Sequence, residues 1–273
     1  MKAINRVIPA RQGRVLAALP FVVLIAAYAV ASHWRRQENP ADKLLPSFEA
    51  MGQAFWRMAT EPDRRSGDLL LWTDTLDSLA RIAAGMGIST AMALTLGVAI
   101  GFLPIVRATL APFVAAFSLI PPITILPILF IVAGLGEASK IALIVVGTAP
   151  VMTRSVAQAV IQIPRELIVK AETLGASVWQ ITTRLIMPQA LPELITAIRL
   201  GLVPGWIFLV SAEAIASTSG LGYRIFLVRR YLAMDVILPY VLWITLLAIV
   251  IDRLLLLLSR RLFRWRHLEG AAL

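Results

Sequence analysis

Cysteine is absent from the 273 residues, which excludes a disulfide framework and any cysteine-held zinc or iron–sulfur site. Histidine is nearly absent too: His33 and His267 alone argue against a structural zinc or a histidine-based catalytic centre. Charge is scarce, at 15% of the chain. What titratable residues fall in apolar stretches are scattered in depth, where a membrane enzyme needs them clustered. No internal repeat is visible, and no ion-coupling acid at mid-membrane, the features expected of a stand-alone secondary transporter. A nucleotide loop is missing as well. "GLGEASK" at 134–140 is glycine-rich and ends in lysine, but Ser139 precedes Lys140, Ile141 follows it, and the flanks are apolar rather than strand and helix.

What the chain has instead is hydrophobic residues, 59% of the total. A hydrocarbon core about 30 Å thick needs roughly 20 apolar residues in a helix. Six stretches approach that length: Val15–Ala31, Ile82–Leu103, Thr109–Val132, Ile141–Ile161, Leu194–Ala216 and Val236–Leu258. The expected fold class is therefore an all-α integral membrane protein with six transmembrane helices. The first stretch resembles a signal peptide in its basic lead, but His33-Trp34-Arg35-Arg36 stands where a small-residue cleavage site belongs, so it reads as an uncleaved anchor.

Threading six spans places both termini on one side together with 15 of the 26 lysines and arginines. The other side mixes 11 basic with 11 acidic residues, so the net charge of +10 lies with the termini, which are cytoplasmic by the positive-inside rule. The charge then needs no nucleic acid to explain it.

"KAETLGASVWQITTRLIMPQALPE" (170–193) falls on the cytoplasmic side between the fourth and fifth spans. Leu167, Ala171 and Leu174 recur at helical spacing over 165–174, and Glu166 with Lys170 forms an i,i+4 pair. Gly175 sits where a helix stop takes the left-handed conformation. Ser177 and Gln180 read as a capping box for a second helix, expected to end near Met187-Pro188, with Pro192-Glu193 opening the next span. Such a pair of short helices fits a partner's groove; an amphipathic loop resting on headgroups fits equally.

Pro121, Pro122 and Pro127 remove three backbone donors from the third apolar stretch. Breaks of this kind survive at membrane depth against protein or a watery cavity, so they mark either packing kinks or a transport path. Gly85, Ser89 and Ala93 recur every fourth residue, which suits close helix packing. Glu213 lies about 21 Å along a helix from Arg199, too far to pair. With Ser211, Ser217 and Thr218 it reads as a structural network in preference to an outer gate. Arg199 is expected to snorkel or to bind backbone, and Asp252 to pair locally with Arg253. The outer segment 33–78 carries an amphipathic run, Phe48, Met51, Phe55 and Met58, starting at Pro46-Ser47 and broken near Gly67.

Ala171, Gly175, Leu185 and Pro188 resemble, in spacing, the cytoplasmic Glu-Ala-Ala signature of ABC importer permeases, with Val169, Lys170 and Met187 replacing its glutamate, an alanine and a leucine. "SLIPPITILPILFIVAGLGEASKIALI" (118–144) and "GWIFLVSAEAIASTSGLGYRI" (205–225) are similar to elements of the nitrate/sulfonate/taurine-type permeases. The resemblance covers about 79–265 and implies a type I ABC importer permease-like fold. Residues 1–78 would be an anchor plus outer segment, 79–265 the core, and 266–273 a tail.

It further implies a coupling helix at 165–177 docked on an ATPase, with Val169, Lys170, Ala171, Glu172, Gly175, Ala176, Ser177 and Pro188 at the contact. Pro121, Pro122, Thr124, Pro127, Trp206, Ser211 and Glu213 become candidates for the translocation path or gate. The implied partners are a second copy of the chain, two cytoplasmic ATPase subunits holding ATP and Mg, a periplasmic binding protein and the lipid bilayer. No cofactor would be bound by the chain itself, and no catalysis would be its own. The setting is a bacterial inner membrane. The cargo is a small anion or zwitterion, taurine first, with sulfonates and nitrate beside it.

Overall fold

The computed structural model describes residues 9–39, 42–64 and 66–265, with backbone alone at 10 and 11. The tail 266–273 lies outside the described residues, as do Lys2, Arg6 and Arg65 of the charge count. Among the described residues the regular structure is all helical. In order it comprises α1 (Ala10–Glu38), α2 (Phe48–Thr60), α3 (Leu70–Phe102), α4 (Pro104–Phe117), α5 (Pro122–Ala133) and α6 (Glu137–Ile161). There follow α7 (Arg165–Thr173), α8 (Val178–Ile181), a π-helical turn (Thr182–Ile186), α9 (Met187–Ala216), α10 (Leu221–Arg229) and α11 (Met234–Leu262). Five helical stretches are long and apolar enough to cross a membrane, and α4 with α5 supplies a sixth if the bent pair counts as one span.

Small residues decide the centre of the molecule. α3 and α6 run parallel: the Ser89 and Thr148 hydroxyls meet at 2.7 Å across a separation of 59 residues. The same offset brings Gly85 under Ile144, Gly97 under Val156 and Gly101 under Val160. A Cβ on Gly97 would lie 2.8 Å from the Val156 Cβ, and one on Gly101 2.5 Å from that of Val160. The fourfold spacing thus serves backbone approach. α9 closes the core with buried Leu202, Trp206 and Leu209.

Three expectations fail here. The stretch Thr109–Val132 is not one helix, because α4 and α5 are bent by 96° across residues 118–121. Pro121 and Pro122 lack donors, and a residue before proline is driven to extended backbone, as Pro121 is at ψ 116°. The second loop helix does not end near Met187-Pro188: Val178–Ala216 is one continuous span of 39 residues. The wider π turn carries the chain past Pro188, whose ring would strike the preceding carbonyl in an α-helix. Asp252 pairs not with Arg253 but with Arg199, which therefore does not snorkel: its Nε and Nη2 donate to the Asp252 carboxylate at 2.7 and 3.1 Å, joining α9 to α11.

α1 stands apart. Its contacts are with the segment leading into α2 and with the first turn of α2: Tyr28 donates to Pro46 O at 2.7 Å and packs on Phe48 at a ring separation of 5.4 Å, Ser32 donates to Leu45 O at 3.0 Å, and Arg35 reaches Asp42 at 2.5 Å. The Leu44 N–H, then Arg35, hold the Asp42 carboxyl below the usual carboxylate range. Almost everything below Tyr28 on α1 is exposed. α2 packs on α3 and α11, with Phe55 and Trp72 flanking Trp243 at ring separations of 5.6 and 5.9 Å.

Candidate functional site

Three places concentrate polar chemistry, and they lie at three depths. The outer one is built on α3, whose first turns extend 12 residues beyond the expected span to carry Asp74, Ser78 and Arg81. Glu213, fully buried, accepts from Arg81 Nη1 at 2.7 Å, Ser78 Oγ at 2.8 Å and the Gly222 N–H at 2.8 Å. Arg81 turns its other edge to Glu137, donating at 2.5 and 2.9 Å, and Lys140 donates to the same carboxylate at 2.8 Å.

Asp74 gathers the Gly220 N–H at 2.9 Å, Arg224 Nε at 2.8 Å and the Tyr240 hydroxyl at 3.2 Å. The loop 217–220 is clamped between them. Gly220 has φ +119°, and a Cβ there would sit 2.4 Å from Glu213 Oε1. The cluster ties α3, α6, α9, α10 and α11 together. Glu213 thus sits in a hydrogen-bonded network, although Ser211 is not in it: that hydroxyl donates to Ile207 O on its own helix.

Sequence reasoning missed Asp74, Arg81, Glu137 and Arg224. The signal was present in the rejected glycine-rich turn, since Gly134 at φ +74° ends α5 and Gly136 caps α6, placing Glu137 in a first turn that faces Arg81.

At mid-depth the break between α4 and α5 borders a cavity of about 320 Å³ lined by Ser118, Pro122, Gly147, Thr148, Pro204 and Phe208 among others. Of the candidate path residues, Pro122 alone is in that lining. Pro121, Thr124 and Pro127 are exposed, and the Thr124 hydroxyl donates to Pro121 O at 2.7 Å, closing the first turn of α5. Trp206 is buried, and its Nε1 is the one buried side-chain nitrogen without a partner among the described residues.

The third place is the knob from α7 to α8. α7 ends at Leu174. The Gly175 N–H then donates to Glu172 O at 2.9 Å and the Ala176 N–H to Ala171 O at 3.0 Å, a Schellman turn made possible by φ +80° at Gly175. The Ser177–Gln180 capping box forms in both directions, at 2.8 and 3.3 Å. Val169, Lys170, Glu172, Gly175, Ser177 and Pro188 are exposed, with Ala171 and Ala176 half-buried. Leu174, Val178 and Trp179 add an apolar crest, 79%, 61% and 75% exposed.

Residues 89–264 match the family model described as "Binding-protein-dependent transport system inner membrane component". The taurine transport system permease protein TauC of Escherichia coli strain K12 is 36% identical over 198 residues, 72% of this chain and 72% of that protein. The riboflavin transport system permease protein RibX of Chloroflexus aurantiacus is 31% identical over 223 residues, 81% of this chain and 80% of that one. An inward-facing crystal structure of the MetNI methionine ABC transporter shares the fold, with a TM-score of 0.56 and 24% identity, covering 67% of this chain and 94% of that chain.

Proposed function

Because this chain belongs to the family of binding-protein-dependent transport system inner membrane components, and is thus a multi-pass permease subunit of an ABC importer rather than an enzyme, we propose that it carries a small sulfonate-bearing solute, taurine first, into a bacterial cytoplasm. Family membership implies an ATPase and a binding protein as partners. The finer reading is a pair of these chains in the inner membrane, two ATPase subunits holding ATP and Mg below, and a binding protein delivering cargo above.

The observation that carries this reading is the knob from α7 to α8. Its backbone is satisfied by its own cap and turn, so it projects without help from the rest of the chain. Leu174, Val178 and Trp179 nevertheless stand in the open beside Lys170 and Glu172. A soluble face would be expected to hide such residues or lack them; a docking face presents them. α8 runs without a break into the span that walls the cavity, so a push on the knob is delivered to the path. The taurine assignment draws on the likeness to TauC, and nitrate or another small anion stands behind it.

The test is purification of the tagged chain from its native membrane in mild detergent with mass spectrometry of its companions. An ATPase subunit should co-purify in fixed ratio and be lost in Leu174→Asp and Trp179→Ala, whose side chains support nothing internal. A chain that leaves the membrane alone and stable would overturn the reading. Uptake of labelled taurine, ethanesulfonate and nitrate by the reconstituted complex then selects the cargo.

A further inference from the structure

One arginine in the spanning region serves neither the packing nor the outer cluster. Arg154 lies on α6 seven residues before Ile161, about 10 Å along the helix, on a face it shares with exposed Val151 and Gln158. Its Nη1 donates to Ser118 Oγ at 2.8 Å, at the α4–α5 break. Among the described residues no carboxylate pairs with it. Between Asp77 and Glu166 the sequence offers Glu137 alone, and that carboxylate is held at the outer end of α6 by Arg81 and Lys140.

A groove of about 240 Å³ between α4 and α6 is walled by Arg154, Arg107, Gln158 and Thr153, with apolar residues completing it. Arg107 gives its Nε and one Nη2 donor to the carbonyls of Ile100 and Gly101, two of its five N–H groups. Two guanidiniums therefore face one groove that no carboxylate lines. Ser118, which Arg154 touches, also lines the larger apolar cavity. A charged side chain within a span is costly against lipid and persists where it meets water or protein. Arginine's planar fork matches an oxyanion, and here most of its donors are unspent.

We infer that Arg154, assisted by Arg107, is the station at which the anionic group of the cargo, a sulfonate or comparable oxyanion, is held in the cytoplasmic half of the path. The inference rests on the permease reading. A lipid phosphate offers the same chemistry from another source, and the test separates the two.

The chain has no cysteine, so Gln158→Cys supplies a single thiol in the same groove. In the ATPase-bearing complex in phosphatidylcholine nanodiscs, its modification by 2-sulfonatoethyl methanethiosulfonate should outrun that by the trimethylammonium reagent. Adding Arg154→Gln should cut the anionic rate about tenfold while leaving the cationic rate unchanged or raised. Arg154→Lys should keep most of the preference.

A thiol that neither reagent reaches, or an anionic preference indifferent to Arg154→Gln, overturns the inference. So does a preference that vanishes when phosphatidylglycerol is included, because lipid then owns the site. If the Arg154→Gln complex does not assemble, the unsubstituted Arg154 chain is read against salt, where the Debye length shrinks from ~30 Å at 0.01 M to ~3 Å at 1 M. A flat response there overturns it equally. In the same preparation, absence of the ATPase subunit would overturn the permease reading instead.

Discussion

Arg81 and Glu213 form an ion pair in which both side chains are buried, 6% and 0% exposed. A pair of this kind is weak evidence for stability in itself, but removing one member strands the other. Arg81→Met is expected to cost about 3–5 kcal/mol, because the Glu213 carboxylate would keep only Ser78 and the Gly222 N–H. Adding Glu213→Gln should return part of that loss. Thermal unfolding of the detergent-solubilised chain measures both, and equal melting of Arg81→Met and the unsubstituted protein would contradict the arrangement. This was also the scale at which the sequence was least legible. Glu213 was recognisable from its place in an apolar run as a carboxylate in need of polar partners. Its partners were not, since they sit 132 and 135 residues away and nothing local couples Arg81 or Ser78 to it.

Elements were more legible, and unevenly so. The knob could be read almost atom by atom, because helix stops and caps are local: Gly175, Ser177 and Gln180 act on neighbours within a few residues. The presence of the other spans was readable too, though not their ends: α3 starts 12 residues before its apolar run, and the span ending at Ala216 starts at Val178. The α4–α5 bend was not, since an apolar run counts residues and is blind to direction; proline flags a break but not its angle. The π turn escaped for a related reason, as it let Pro188 pass where proline normally stops a helix. The α3–α6 seam makes a prediction at this scale. Gly97→Ala should destabilise by about 1–3 kcal/mol, since its Cβ would meet Val156 at 2.8 Å. Gly87→Ala, with nothing within 4 Å, should be neutral or stabilise by up to about 1 kcal/mol through helix propensity. Unfolding curves that do not separate these two variants would contradict the parallel packing.

For the molecule as a whole, orientation follows from charge. Trp56, 69% exposed on α2, belongs outside, and Thr173 on α7 belongs inside. In intact cells a membrane-impermeant maleimide should label Trp56→Cys readily and Thr173→Cys only after lysis, against a background free of native thiols. The opposite pattern would invert the topology. The family match begins at residue 89, inside α3, so it leaves out α1 and α2 altogether.

The loose attachment of α1 bears on how the protein is made. A helix fastened only near its outer end adds little to the finished core, yet among the described spans it is synthesised first. With Arg14 in its opening turns and Arg35 and Arg36 in its last, it presents the insertion machinery with basic residues at both ends. Removing α1 should therefore cost the closed core little, while leaving the spans behind it to orient by their own charges.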